Sequence, residues 1–269
     1  MPASPGRIGT APPTRVAAAR AIAALMLREM NTRYGRTPGG YVWAILEPLG
    51  MIILLGFAWS LLARSPSLGT SFLLFKATGF MVLQTFTVLG GQIGQSLLFS
   101  KRLLWYPRVS WIDAILARFL LNAAVVCAVT TLIIGGILIY EGLNPVIAWG
   151  PVFLAMGMAA GMGLGVGCLN CYLFMRIPVW QQVWAILTRP LFLISGVIIL
   201  YEDMPQLAQQ VLWYNPILHL TGWMREGFYP MYRPEYISAV YVGVWIVVPM
   251  TLGLLLLRRH HRDLLAKFG

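Results

Sequence analysis

Residues 148–200 read AWGPVFLAMGMAAGMGLGVGCLNCYLFMRIPVWQQVWAILTRPLFLISGVIIL. A membrane-crossing helix needs about 20 apolar residues, so this run holds two rather than one. The division falls at Arg176-Ile177-Pro178, because a proline disfavours helix in the residue before it and the arginine adds a charge. Two spans follow, at 148–175 and 177–200. Four further apolar stretches of spanning length lie at 41–62, 77–98, 114–140 and 236–257. The fold class is an all-α membrane protein with six transmembrane helices.

Composition agrees. The chain is 58% hydrophobic and 11% charged, with a mean hydropathy of +0.73, whereas soluble domains carry about 25% charged residues. Of the 269 residues, 37–269 form the six-span domain and leave no room for a large globular unit. Cys127, Cys168 and Cys171 all lie in apolar stretches. They predict no disulfide framework and no zinc site, which would want four ligands.

The net charge of +11 suggests nucleic acid until its distribution is followed. With both termini inside, the cytoplasmic segments hold Arg7, Arg15, Arg20, Arg28, Arg33, Arg36, Lys101, Arg102, Arg108, Arg176, Arg258, Arg259, Arg262 and Lys267. The external segments hold only Arg64, Lys76, Arg225 and Arg233. This is the positive-inside pattern, so the charge reports topology and no nucleic-acid partner is expected.

Residues 1–13 are rich in Pro, Gly and small side chains and read as a flexible tail, with no cleavable signal peptide in the Ala-rich stretch after it. Residues 14–36 read as a cytoplasmic amphipathic interface helix, in which Glu29 is spaced to pair with Arg33. In the fourth span, Gly157, Gly161, Gly163, Gly165 and Gly167 make GxxxG spacings that suit close helix packing in lipid. The connection before the last span is too apolar for a free loop. Pro205 and Asn215-Pro216 signal two short helices within 205–228, each too short to span, which fit external segments that re-enter the membrane.

No span holds a His beside an acid, no nucleophile or metalloprotease motif is present, and Gly90–Ser96 (GGQIGQS) lacks the Lys of a phosphate-binding loop. Neither catalysis nor a metal site is expected, and ATP, if consumed, is bound by another chain. Polar groups within the spans are the unusual feature. Glu47 with Pro48, Arg189 with Pro190, and Arg118 with Asn122 admit two readings each: a partner on a neighbouring helix, or a wet pathway. The connection 99–113 carries Lys101, Arg102 and Arg108 with Trp105, Tyr106 and Trp111. It fits an interfacial belt or a docking element for a cytoplasmic partner.

Several blocks carry a family likeness. Arg28-Glu29-Met30, Arg33-Tyr34-Gly35-Arg36 and Gly40-Tyr41-Val42-Trp43-Ala44-Ile45-Leu46-Glu47-Pro48 resemble the opening of type-2 ABC exporter permeases, specifically those of capsular polysaccharide export. The likeness continues in Arg189-Pro190-Leu191-Phe192, Ser195-Gly196, Tyr214-Asn215-Pro216 and Arg225-Glu226-Gly227. It implies a multi-pass protein of the bacterial inner membrane, a homodimer joined to two copies of an ABC ATPase that binds ATP and Mg. It also implies a lipid-linked anionic polysaccharide as substrate, and a periplasmic co-polymerase and outer-membrane channel as further partners. No cofactor is expected on this chain. O-antigen or teichoic acid export is the neighbouring alternative, and an intramembrane acyl or glycosyl transferase the alternative from another class.

Under that resemblance, Arg28, Arg33, Arg36, Tyr41, Trp43, Glu47, Lys101 and Arg102 are expected at the substrate entrance. Arg189 is expected in the channel, and Trp213, Tyr214 and Trp223 at the external gate. Trp105, Tyr106, Arg108 and Trp111 would couple the chain to its ATPase.

Overall fold

The structure is a computed structural model that describes residues 15–34, 40, 42–62, 65–101 and 110–267, with side chains described for 18–32, 40, 42–62, 65–101 and 110–261. Ten α-helices and one 3-10 turn account for the regular structure of these residues, with no strand among them. In chain order they are α1 (Arg15–Tyr34), α2 (Val42–Leu62), α3 (Phe72–Gly94), α4 (Ser96–Ser100), α5 (Trp111–Tyr140), α6 (Trp149–Arg176) and α7 (Trp180–Ile194). The 3-10 turn Tyr201–Asp203 precedes α8 (Gln206–Leu212), α9 (Pro216–Phe228) and α10 (Ala239–Lys267).

Five of these, α2, α3, α5, α6 and α10, are long and apolar enough to cross a membrane. The fifth expected span, 177–200, is the exception. It folds as the 15-residue α7, and Gly196, at φ +72°, turns the chain immediately afterwards. Asn215, distant in sequence, fixes that end: its Nδ2 donates to the Ile194 carbonyl at 2.9 Å and to Ser195 Oγ at 3.0 Å.

The core forms around α6, which packs chiefly on α3 and α10. Glycine spacing explains why α6 can serve two neighbours. A Cβ on Gly163 would lie 2.7 Å from Leu89 Cβ, and one on Gly167 2.6 Å from Ile93 Cβ, so this pair faces α3. A Cβ on Gly165 would lie 2.5 Å from the Ile246 carbonyl oxygen, and one on Gly161 3.3 Å from Ile246 Cδ1, so the other pair faces α10. Backbones this close forbid any side chain, which is how small residues drive helix packing where lipid removes the hydrophobic incentive. Gly157 meets nothing within 4 Å and takes no part.

Two further expectations are corrected. The second span begins at Phe72 rather than 77, where Ser71 Oγ accepts from the Leu74 amide as an N-cap. Lys76 therefore lies inside α3 and is fully buried instead of belonging to an external loop. Glu29 of α1 reaches α5 and pairs there with Arg118; the side chain of Arg33, its expected helical partner, lies outside the described residues.

Candidate functional site

Charged side chains meet where α1 crosses α5 and the end of α3. Arg118 Nε lies 3.0 Å from Glu29 Oε1, and Arg118 Nη1 donates to the Gln92 carbonyl at 2.8 Å. Both partners are buried, and Asn122 Nδ2 donates to the Arg118 carbonyl at 2.8 Å. Arg118 is thus a structural partner of Glu29, which decides between the two readings its position allowed. The Phe99 ring carries two guanidinium groups, Arg118 at 4.5 Å and Arg28 at 5.3 Å from its centroid. Arg28 Nη1 is buried with no hydrogen-bond partner, and Lys101 follows Phe99 by two residues at the end of α4.

Trp43 and Glu47 are exposed on α2. Glu47 borders an 80 Å³ cavity with Pro48, Gln84 and Asn122, so a carboxylate within a span has polar company from α3 and α5. Arg36, Tyr41, Arg102, Trp105, Tyr106 and Arg108 lie outside the described residues, as does the side chain of Arg33. Trp111 opens α5 behind a capping box in which Ser110 and Asp113 satisfy each other's backbone amides. Its ring lies 6.0 Å from that of His261, and Tyr172 lies 5.8 Å from His260. The end of α10 therefore joins the α5 start and the α6 end, a junction that nothing in the local sequence signals.

Arg189 is exposed on α7, with no ion pair among the described residues. The helix leans on α3 through Trp184, 6.0 Å from Phe86, and Phe192, 6.1 Å from Phe80. Gln181, Gln182 and Arg189 remain uncovered, and no residue of α7 is fully buried. Were this face set against lipid near the middle of a span, the arginine would cost roughly 2.5 to 3.5 kcal/mol.

At the opposite end, Trp213 is held in an aromatic cluster with Tyr214 at 5.5 Å, His219 at 5.3 Å and Tyr241 at 5.1 Å. Its Nε1 donates to the Tyr236 carbonyl at 3.0 Å. His219 locks the cluster. Its Nδ1 accepts from the Ser238 amide at 3.2 Å, which leaves Nε2 as the donor to the Trp213 carbonyl at 2.8 Å. Burial pushes the imidazole pKa below its ordinary value, consistent with this neutral tautomer. Beside the cluster lies an open groove of about 860 Å³, lined by Tyr201, Gln206, Gln209, Gln210, Trp213 and Tyr214. Trp223, by contrast, is partly buried and packs on the main core. The structure thus brings Trp213 and Tyr214 together and sets Trp223 apart.

Three motif blocks distant in sequence meet in one place. Asn215 caps α9 through Oδ1, which accepts from the Ile217 amide, while its Nδ2 holds the end of α7. Thr221 Oγ1 donates to the Ser195 carbonyl at 3.0 Å. A Cβ on Gly196 would come within 3.8 Å of Arg225 Nη1. Arg225, expected among the external charges, is buried in α9.

Comparison with known proteins adds a family. Residues 20–229 match the model described as ABC-2 type transporter. The polysialic acid transport protein KpsM of Escherichia coli is 28% identical over 246 residues, 91% of this chain and 95% of the relative. The capsule polysaccharide export inner-membrane protein CtrC of Neisseria meningitidis is 25% identical over 240 residues, covering 89% and 91%. BexB of Haemophilus influenzae, which carries the same description, is 24% identical over 239 residues, covering 89% and 90%.

Proposed function

Because this chain belongs to the ABC-2 type transporter family, we propose that it is the membrane subunit of an ATP-driven exporter of capsular polysaccharide in a bacterial inner membrane. It is a permease and not an enzyme: hydrolysis of ATP, with Mg, belongs to a partner ABC ATPase. The observation that carries the polymer class is coverage. Relatives described as capsule or polysialic acid transporters align over about nine-tenths of both chains.

The finer reading joins that class to the geometry. Two copies of the chain pair with two ATPases, and α7 makes the sixth crossing together with the turn that follows it. The exposed Gln181, Gln182 and Arg189 face a wet route between the copies. Helices α8 and α9 re-enter from outside, and the groove beside Trp213 and Tyr214 forms the exit, where rings meet the apolar faces of sugars and glutamine amides meet hydroxyls. Arg28 and Lys101, with Arg33, Arg36 and Arg102, attract the anionic lipid-linked end of the polymer at the inner mouth, beside Tyr41, Trp43 and Glu47. The segment Trp105, Tyr106, Arg108 and Trp111 docks on the ATPase, since aromatic and arginine side chains are favoured interface anchors. A periplasmic co-polymerase and an outer-membrane channel continue the route. Export of O-antigen or teichoic acid would use the same fold, but the descriptions of the relatives favour capsule.

Deletion of the gene tests the reading. Capsule should vanish from the cell surface and polymer should accumulate inside, both restored by the wild-type chain, which should copurify with an ABC ATPase. Normal surface capsule in the deletion strain would overturn it.

A further inference from the structure

The uncovered side of α10 ends in two exposed arginines. Exposed residues recur along this helix at 240, 244, 247, 248, 251, 252, 255, 258 and 259, a helical repeat that keeps them on one side, while Val242, Gly253 and Leu257 are buried on the other. Val240, Val244, Val247, Val248, Leu252 and Leu255, each 48–79% exposed, make this side aliphatic, with Trp245 at its edge. Thr251 adds no free polar group, because its hydroxyl turns back to the Val247 and Val248 carbonyls of its own helix, 2.9 and 3.0 Å away. Polarity changes at one level, where Arg258 and Arg259 close the stripe.

Length sets that level. At about 1.5 Å per residue, 240–257 measures about 27 Å, against about 30 Å for the hydrocarbon core of a bilayer. The two guanidinium groups therefore stand at headgroup depth, at the end that the distribution of basic residues assigns to the cytoplasm. Neither forms a salt bridge among the described residues. The helix end that carries them is held by its neighbours: the ring of His260 lies 5.8 Å from that of Tyr172 on α6, and the ring of His261 6.0 Å from that of Trp111 on α5.

We propose that this side of α10 binds an anionic phospholipid of the inner leaflet, with an acyl chain along Val248, Leu252 and Leu255 and the phosphate between Arg258 and Arg259. The chemistry favours lipid over a protein partner. Aliphatic side chains beside a hydroxyl already satisfied by its own helix suit an acyl chain, and arginine forks match phosphate oxygens. Two cations at a membrane surface favour an anionic over a zwitterionic headgroup by a factor on the order of ten or more. The site is separate from the polymer route, and its existence does not depend on what the chain exports.

The test follows the Tm of the purified full-length chain in neutral detergent micelles. Phosphatidylglycerol, phosphatidylcholine with the same acyl chains, and inorganic phosphate are titrated separately at constant ionic strength. Phosphatidylglycerol should raise Tm saturably, at a concentration at least tenfold lower than phosphatidylcholine, and inorganic phosphate, which lacks acyl chains, should not. Arg258→Gln with Arg259→Gln should abolish that preference. Leu255→Glu should abolish it with both arginines in place, because a glutamate three and four residues before them can pair with both; this guards against a folding defect in the glutamine pair. Arg233→Gln, which alters an exposed arginine at the other end of the bundle, should leave the preference intact. A wild type that does not distinguish the two lipids, an equal shift with inorganic phosphate, a preference that survives in Leu255→Glu, or one lost equally in Arg233→Gln would overturn the assignment. So would a glutamine pair that keeps the preference but no longer copurifies with an ATPase, which would make the arginines a protein contact.

Discussion

Arg118 of α5 and Glu29 of α1 form a buried ion pair, with Arg118 Nε 3.0 Å from Glu29 Oε1, across 89 residues of sequence. It ties α1 to the helix bundle, and Arg118 extends the contact to α3 through the Gln92 carbonyl. Any displacement of α1 is therefore delivered directly to α5 and α3.

Removing one member of this pair should be costly. Glu29→Gln leaves a buried guanidinium without its carboxylate, a loss of about 3–5 kcal/mol by comparison with other broken buried pairs. The double variant Glu29→Leu with Arg118→Met replaces both charges by apolar groups and should recover much of that loss. Thermal unfolding of the purified variants checks this. Single and double variants of equal stability would mean that the pair is exposed to water.

The glycines of α6 should not be equivalent. A Cβ at Gly165 meets the backbone carbonyl of Ile246 at 2.5 Å, and backbone cannot swing aside, so Gly165→Ala must push α10 away. Overpacking of this kind costs about 1–3 kcal/mol. Gly157→Ala, which meets nothing within 4 Å, should leave stability unchanged or slightly raised. Yield of monodisperse protein and Tm, measured for both, would expose the contrast or its absence.

That contrast shows where sequence reading succeeds. Gly161, Gly163, Gly165 and Gly167 advertise close packing because the signal is a spacing within one helix. Asn215-Pro216 likewise marks the start of α9 by a local rule. What failed was what depends on contacts remote in sequence. The Glu29–Arg118 pair has no local signal because its members stand 89 residues apart. The fifth span was carried on to 200 because the cap that ends α7 comes from Asn215, some twenty residues later. Lys76 was read as a boundary because a charge lowers hydropathy, although here it is enclosed by Trp59 and Phe75. Among the expected site residues, only the fold separates Trp223, packed on the core, from Trp213 and Tyr214 beside the groove.

Acid should loosen the outer cluster through His219. Its pKa is lowered in the folded protein, so between the folded value and the ordinary value near 6.5 the unfolded chain binds the extra proton. The stability this residue contributes is therefore present above about pH 6.5 and is lost as pH falls through the folded value. Protonation also turns Nδ1 into a donor facing the Ser238 amide. The drop in Tm between pH 7.5 and pH 5 should be smaller in His219→Ala than in the wild type; an equal drop would remove His219 from the account.

Arg189 offers the sharpest test of the polymer route. It lies on the face of α7 that α3 leaves uncovered, with Gln181 and Gln182 on the same helix, and a guanidinium against lipid would cost roughly 2.5 to 3.5 kcal/mol. A wet lumen removes that cost by hydrating it. A sugar chain also needs contacts weak enough to leave as well as to enter, and a sparse line of amides with one cation supplies them. Arg189→Cys, in a background lacking Cys127, Cys168 and Cys171, should react with a small water-soluble thiol reagent in the assembled complex, and labelling should slow export. Leu193, also exposed on α7, is the comparison: a cysteine there that reacts faster would place water along that side instead. If position 189 stays unreactive in both resting and ATP-driven complexes, and Arg189→Ala mainly lowers Tm, then Arg189 is covered by protein in the assembly and the polymer passes elsewhere.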